Sequence, residues 1–167
     1  AAHMAMALNE LFNLRLSQEQ LAQEVRPLGA DCPYFIYNTP CYAEGIGDEL
    51  KPISLDLRGL RLVMIKPNCG VSTKEAYGGI APKGGSLLFN MIQNRLALFE
   101  YATNDFEETV CKHHPEITEI KQRLLSAGAV YAAMSGSGST VFGLFEYDAK
   151  GRTDAQLRLL HEEFASM

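Results

Sequence analysis

An aspartate on a tight connection is the first residue of this sequence that could do chemistry. Asp31 follows Gly29, which ends a predicted helix, and it precedes Pro33, which begins a predicted strand. Carboxylates held at the ends of elements often take or orient a proton in active sites. Aspartate also hydrogen-bonds turn backbone as a purely structural residue. The spacing alone favours that structural role.

A glycine-rich loop, Ser135-Gly136-Ser137-Gly138-Ser139-Thr140, is the second candidate. Its two glycines permit left-handed backbone, and successive N–H groups in such a loop can form a concavity that binds anions. The loop lacks the Gly-Lys-Ser/Thr ending of a P-loop, and a strand follows it where a dinucleotide fingerprint requires a helix. Taken by itself, the segment favours an ordinary hairpin loop over a phosphate site.

Two further groups of side chains deserve a functional and a structural interpretation. Tyr77, with Lys74, Glu75 and Lys83 near it in sequence, could stack on a nucleotide base, although a solvated helix face fits the local pattern better. His113 and His114 stand beside Cys111, as in some metal sites. Adjacent helical residues point in different directions, however, and only Glu116 offers a carboxylate at a suitable offset. We therefore expect both histidines to be surface residues.

The composition is typical of a globular protein and excludes several classes. Of 167 residues, 47% are hydrophobic, and 20 acidic against 15 basic residues give a net charge of -5. That balance argues against broad nucleic-acid binding, which draws on dense positive charge. The apolar runs are too short to span a membrane, and the first residues lack the pattern of a signal peptide. Without a CxxC pair, we expect a cytoplasmic protein with four reduced cysteines: Cys32, Cys41, Cys69 and Cys111.

The elements that must position these residues follow from periodicity and end signals. Residues 1–12 have apolar residues at helical spacing, and Ser17 with Gln20 forms a capping box that opens a second helix. Residues 33–37 and 41–46 are rich in residues that favour strands. The stretch between Leu50 and Gly59 has no strong period and suits a crossover between domains.

The remainder of the chain predicts an α+β layer architecture, an antiparallel sheet with helices on one face. The predicted elements are a strand at 61–65, a helical turn within 72–79, a helix from Ser86 to about Ala102, a helix from Pro115 to Gly128, strands at 129–134 and 140–145 joined by the glycine loop, and a helix at 153–166.

Taken together, six segments resemble the second half of a GHMP-family kinase. In order they are LGADCPYF, AEGIGDEL, KPNCGVST, NDFEETV, PEITEIKQRLLSAGA and MSGSGSTVFGLF, and the resemblance extends from Leu8 to Phe145. It implies that residues 1–55 are the end of an N-terminal domain. Residues 56–167 would then form the ferredoxin-like C-terminal domain of that family.

The first helix has no capping residue before it. Either His3-Met4 is the remnant of a cloning site or the chain begins inside a helix, and the unbroken apolar periodicity favours the second explanation. The resemblance implies that the family's main phosphate loop precedes Ala1. We therefore expect this chain alone to be inactive as a kinase. We also expect partial exposure of Leu8, Leu11, Phe12 and Phe35, which would favour self-association.

The resemblance also implies roles for individual residues. Asp31 matches the aspartate that takes or orients the proton of the accepting hydroxyl, and Gly136, Ser137 and Gly138 match a loop beside the phosphate site. Tyr77 falls, in a looser match, where relatives place part of the cytidine pocket. The implied ligands are ATP with Mg²⁺ and a small alcohol, diphosphocytidyl-methylerythritol, with its 2-hydroxyl as acceptor. No side chain is assigned to the magnesium ion.

Two alternatives stay open at this point. One is a stand-alone ferredoxin-like module that binds a small ligand without catalysis, which the lack of a P-loop and the element order after residue 60 support. The other is a different GHMP kinase, of the homoserine or mevalonate type.

Overall fold

The chain divides into two compact units, Ala1–Leu55 and Asp56–Met167, in the computed structural model. The structure describes residues 1–80, 95–147 and 152–164. Both units contain helices and antiparallel strands, so the predicted α+β class is confirmed. Across the described ranges, every helix is too short or too polar to cross a bilayer. That the first unit is the end of a larger domain stays a prediction.

The first unit consists of three helices, a 3₁₀ turn and a two-stranded hairpin. In order they are α1 (Ala2–Leu11), α2 (Gln18–Val25), the 3₁₀ turn Arg26–Leu28, α3 (Cys32–Tyr37), β1 (Cys41–Glu44) and β2 (Glu49–Pro52). The predicted capping box is present, since Ser17 Oγ accepts from the backbone N–H of Gln20 and the Gln20 side chain accepts from the N–H of Ser17. Helix α2 therefore begins where the sequence predicts. Helix α1 also agrees with the prediction, whereas strand β2 was not predicted.

The predicted strand at residues 33–37 is wrong, because this segment is helix α3. Pro33 sits in the first turn, where its fixed φ favours a helix and its missing N–H costs nothing. Pro33 and Ile36 are buried three residues apart, and Ile36 joins the core formed with α1 and α2. Tertiary packing thus outweighs the strand preference of a run of aromatic residues.

The second unit contains a three-stranded antiparallel sheet in the order β3-β5-β4. Its elements are β3 (Leu60–Ile65), α4 (Thr73–Gly78), α5 (Arg95–Tyr101), α6 (Glu107–His113), α7 (Pro115–Ser126), β4 (Tyr131–Met134), β5 (Val141–Glu146) and α8 (Arg152–Phe164). The strands, the turn at 72–79 and the helix from Pro115 agree with the sequence prediction, whereas α6 was not predicted. The first part of the helix expected from Ser86 lies outside the described residues.

Helix α7 forms the core of the second unit by packing on β4 and β5. Ile117, Ile120 and Leu124 recur at helical spacing and are at most 1% exposed, and they meet Phe145 at the centre of the sheet. Burying side chains of this size contributes about 1.5–3 kcal/mol each. Gly143 lets the helix approach closely, since a Cβ there would lie 3.3 Å from the Leu124 side chain. The core holds the ends of β4 and β5 in a fixed position, and the glycine loop connects those ends.

Candidate functional site

The glycine loop turns the chain from β4 into β5 and closes with backbone hydrogen bonds. The N–H of Ser135 donates to the carbonyl of Thr140 at 2.8 Å, and the N–H of Gly138 donates to the carbonyl of Ser135 at 3.0 Å. Gly136 and Gly138 have φ values of +55° and +94°, which glycine adopts at little cost. Within the described ranges, the N–H groups of Gly136 and Ser137 donate to no protein acceptor. The loop therefore offers two adjacent donors to an anion.

The two glycines of the loop have different surroundings. A Cβ on Gly136 would meet no atom within 4 Å. A Cβ on Gly138 would lie 2.8 Å from Met134 Sδ and 3.3 Å from Val71 Cγ2. Gly138 is thus required by packing as well as by conformation, whereas Gly136 is required by conformation alone.

The Asn104 side chain holds the loop backbone by hydrogen bonds. Its Nδ2 donates to the carbonyl oxygens of Met134 at 2.7 Å and Gly136 at 2.8 Å, while its Oδ1 accepts from the N–H of Phe106 at 3.0 Å. Glu107 holds the end of β4 as well, since its Oε1 accepts from the N–H of Met134 at 2.7 Å. Its other oxygen pairs with the ammonium group of Lys121.

Sequence reasoning did not single out Asn104 or Glu107 as site residues. A signal was present, because an Asn three residues before an acidic helix start is typical of an Asx turn. Nothing in the sequence indicates, however, that the same amide reaches a carbonyl 32 residues further along the chain.

Tyr77 lies in the same part of the second unit as the loop. Its ring packs edge-on against Phe106, with centroids 4.8 Å apart and an interplanar angle of 70°. Phe106 is two residues from Asn104, which holds the loop. Tyr77 is 65% exposed, so a face of its ring is accessible to a ligand. Lys83, which the sequence placed near this group, lies outside the described residues.

A second polar cluster lies behind the loop. Ser139 is buried, and its Oγ donates to the carbonyl of Cys69 at 2.8 Å. Burial raises the pKa of the Cys69 thiol, and a hydrogen bond to the Glu116 carboxylate raises this pKa further. The backbone N–H of Glu116 and then the Cys69 contact lower the pKa of Glu116 itself.

The prediction of two surface histidines holds for His113 and is wrong for His114. The side chain of His113 is 62% exposed, whereas that of His114 is 18% exposed. Both approach one oxygen of Glu75, His113 with Nδ1 at 3.4 Å and His114 with Nε2 at 3.8 Å. Helical geometry does not separate the two rings, because α6 ends at His113 and the backbone of His114 is extended, with φ -129° and ψ 73°.

Asp31 lies in the first unit, directly before α3. It is exposed, and its side chain makes no hydrogen bond to cap the helix. The spacing favoured a structural role in which Asp31 hydrogen-bonds the turn, and its side chain makes no such bond to the start of α3. The neighbouring backbone is that of Gly47 in the turn between β1 and β2, where a Cβ would lie 3.4 Å from Asp31 Oδ1. Asp31 and the glycine loop belong to different units.

The first unit also contains a cavity of about 440 Å³ between α2, α3 and the hairpin. Arg26 and Asp48 form an ion pair at its wall, with Arg26 Nε 2.8 Å from Asp48 Oδ2. The hydrogen bond from Arg26 lowers the pKa of Asp48 below its usual value. Asp31 is not among the residues that line this cavity.

Comparison with known proteins gives a consistent set of relatives. The family model described as GHMP kinases C terminal matches residues 88–156. The chain is 47% identical over 152 residues to 4-diphosphocytidyl-2-C-methyl-D-erythritol kinase of Bacteroides fragilis, covering 90% of this chain and 56% of the relative. The kinase of the same name from Parabacteroides distasonis is 43% identical over 149 residues, with 87% and 55% covered. The chain thus spans a little over half the length of these relatives.

The structures of two kinases superimpose on this chain. A crystal structure of 4-(cytidine 5'-diphospho)-2C-methyl-D-erythritol kinase superimposes with a TM-score of 0.73 at 30% identity, covering 95% of this chain and 59% of that one. Homoserine kinase from Cytophaga hutchinsonii superimposes with a TM-score of 0.60 at 14% identity, covering 93% and 57%. The second likeness concerns the fold alone.

Proposed function

This chain belongs to the GHMP kinase family, and on that premise we propose that it is part of an ATP-dependent kinase. The acceptor in this proposal is the 2-hydroxyl of 4-diphosphocytidyl-2-C-methyl-D-erythritol, the compound for which its relatives are named. The γ-phosphoryl group of ATP passes to that oxygen, ADP leaves, and the hydroxyl proton goes to a carboxylate. The protein then acts in non-mevalonate isoprenoid biosynthesis, in the cytoplasm.

The glycine loop is the observation that carries the proposal. Gly136 and Ser137 present adjacent N–H groups that donate to no acceptor in the described part of the chain, and Asn104 fixes the backbone that carries them. Phosphoryl transfer depends mainly on positioning and on stabilising negative charge, which preorganised N–H donors supply. The loop fits a phosphate group in this respect. We assign no magnesium ligand among the described residues, so in the proposal Mg²⁺ arrives bound to ATP.

Asp31 is the proposed proton acceptor. Support comes from its exposed carboxylate, which does not cap α3, and from its match to the catalytic aspartate of the family. A positioned base of this kind contributes about 10²–10⁴ to the rate. Tyr77 is proposed to contact the cytosine ring, because its ring is exposed and Phe106 fixes its orientation. Aromatic rings stack on bases of any sequence.

The test replaces Asp31 by Asn in the full-length protein that contains this chain. We expect kcat to fall by about 10²–10⁴ with little change in melting temperature, because Asn keeps the size of the side chain and removes its charge. Asp56→Asn is a matched control, since Asp56 is an exposed aspartate engaged with Arg58. A kcat near wild type for Asp31→Asn would remove Asp31 from the mechanism.

The acceptor is tested separately with the unsubstituted protein. We expect phosphate transfer to the diphosphocytidyl compound and none to homoserine or mevalonate. The reverse preference would refute the proposed substrate while leaving the kinase assignment intact. The 167-residue chain alone is expected to show no measurable transfer, because nearly half of each relative has no counterpart in it. Clear turnover by this chain would contradict that expectation.

A further inference from the structure

Three side chains from separate segments converge behind the glycine loop. Cys69 lies in the connection after β3, His114 at the junction of α6 and α7, and Glu116 in the first turn of α7. One ligand atom from each, a thiol sulfur, an imidazole nitrogen and a carboxylate oxygen, lies within 4.8 Å of the other two. All three residues are half-buried, so the group is neither an exposed acidic patch nor sealed from ions. We propose that Cys69, His114 and Glu116 bind a zinc ion.

The spacing of the donor atoms suits a small tetrahedral ion. Zinc bonds of about 2.0–2.3 Å place neighbouring ligand atoms roughly 3.4 Å apart. His114 Nδ1 already lies 3.6 Å from Glu116 Oε1. The Cys69 sulfur lies within 4.8 Å of both atoms, so a small side-chain motion would complete the set. Sulfur and nitrogen donors favour zinc over magnesium or calcium, which prefer oxygen.

The outer contacts of His114 have the form found around metal-bound histidines. While Nδ1 faces Glu116, Nε2 faces Glu75 Oε1 at 3.8 Å. In metal sites a carboxylate that accepts from the far nitrogen orients the ring for metal binding by the other nitrogen, and Glu75 would reach that position after a small side-chain motion. Glu75 is therefore assigned as a positioning residue.

The backbone around the three ligands is held independently of the metal. The carbonyl of Cys69 accepts from the buried Ser139 hydroxyl at 2.8 Å. The N–H of His114 donates to the carbonyl of Val110 at 2.9 Å, and Pro115 begins α7 directly after it. The site would thus form with small side-chain motions. Three protein ligands leave the fourth position to water.

The proposed zinc site is separate from the proposed phosphate site, but one hydrogen bond connects them. Ser139 belongs to the glycine loop and bonds Cys69 through its side chain. A bound zinc ion would fix Cys69 and, through it, the base of the loop. The metal site does not require the kinase proposal, because it rests on residues of this chain alone.

The experiment titrates the reduced 167-residue chain with Co²⁺ and then displaces the cobalt with Zn²⁺. We expect one ion per chain and a thiolate-to-cobalt charge-transfer band in the near ultraviolet. Cys69→Ser should abolish that band and weaken binding more than about 100-fold, beyond the 10–100-fold typical of an outer-shell change. Cys111→Ser is the matched control, since Cys111 is also half-buried in the second unit and should bind like wild type.

Further variants separate the direct ligands from the positioning residue. Glu75→Gln should weaken binding about 10–100-fold and keep the charge-transfer band, whereas His113→Ala should change neither. Zinc should also protect Cys69, and not Cys111, from alkylation in the unsubstituted chain, a measurement that needs no variant to fold. Absence of binding at micromolar metal, or equal protection of both cysteines, would overturn the proposal. So would unchanged binding by Cys69→Ser.

Discussion

Substituting Gly138 by Ala tests whether the glycine loop is fixed by packing as well as by conformation. The new Cβ would lie 2.8 Å from Met134 Sδ and 3.3 Å from Val71 Cγ2, both closer than ordinary contact. The backbone at φ +94° costs an L-residue roughly 1–2 kcal/mol. Overpacking a well-filled site costs about 1–3 kcal/mol more. Together these place the loss of unfolding free energy at about 2–5 kcal/mol.

Gly136→Ala is the matched control for this substitution. Its φ is also positive, but its Cβ would meet nothing within 4 Å. We therefore expect only the conformational cost of roughly 1–2 kcal/mol. The difference between the two variants isolates the contact with Met134 and Val71.

The assay must report on the second unit alone, because a chain of two compact units does not unfold in one step. Hydrogen exchange of the buried amides in β5 meets this need, since the slowest of them exchange only on unfolding of the unit. Equal losses of exchange protection in Gly138→Ala and Gly136→Ala would refute the packing argument. A second check is Met134→Ala combined with Gly138→Ala, which should be less destabilising than the two single effects added together.

Three other predictions concern the hydrogen bonds of Asn104, the Arg26–Asp48 ion pair and the exposed apolar surface of the first unit. Asn104→Ala should lower the free energy of unfolding of the second unit by about 1–3 kcal/mol, measured by the same exchange, because two carbonyl oxygens lose their donor. Arg26 lowers the pKa of Asp48 in the folded state. The ionised carboxylate therefore stabilises the fold fully above the unfolded pKa of about 3.9. This stabilisation is lost as pH falls through the lower folded pKa. The destabilisation caused by Asp48→Asn, from the urea midpoint of the first unit's own transition, should thus be complete at pH 7 and shrink toward pH 3; a constant difference would contradict this. Leu11 and Phe12 are 71% and 64% exposed, so replacing both by Ser should reduce self-association in light scattering, and an unchanged mass would show that this surface does not mediate it.

Local signals in the sequence predict much of the secondary structure. The capping box at Ser17 and the proline that opens α7 act within one turn of helix, so the residues alone identify them. The exposure of Leu8, Leu11, Phe12 and Phe35 was also expected, and each is at least 41% exposed. Self-association through these residues stays a prediction.

Where the sequence misled, a distant contact decides the local structure. Residues 33–37 contain four residues that favour strands, yet Ile36 is buried against α1 and α2 as part of a helix. His114 appeared to be a surface residue because Glu75, its partner, lies 39 positions earlier in the chain. Neither contact leaves a trace in the spacing of nearby residues.

The register of the sheet explains why the candidate sites assemble where they do. Ile65, at the end of β3, pairs with Val141, at the start of β5. The segment after β3 and the segment before β5 therefore lie at the same end of the sheet, which places Cys69 next to Ser139. The sequence predicts both strands, but alternation within a strand does not specify its partner or register. The glycine loop could thus be recognised from its residues. Its hydrogen bonds with Asn104 and Cys69, however, depend on how the strands pair.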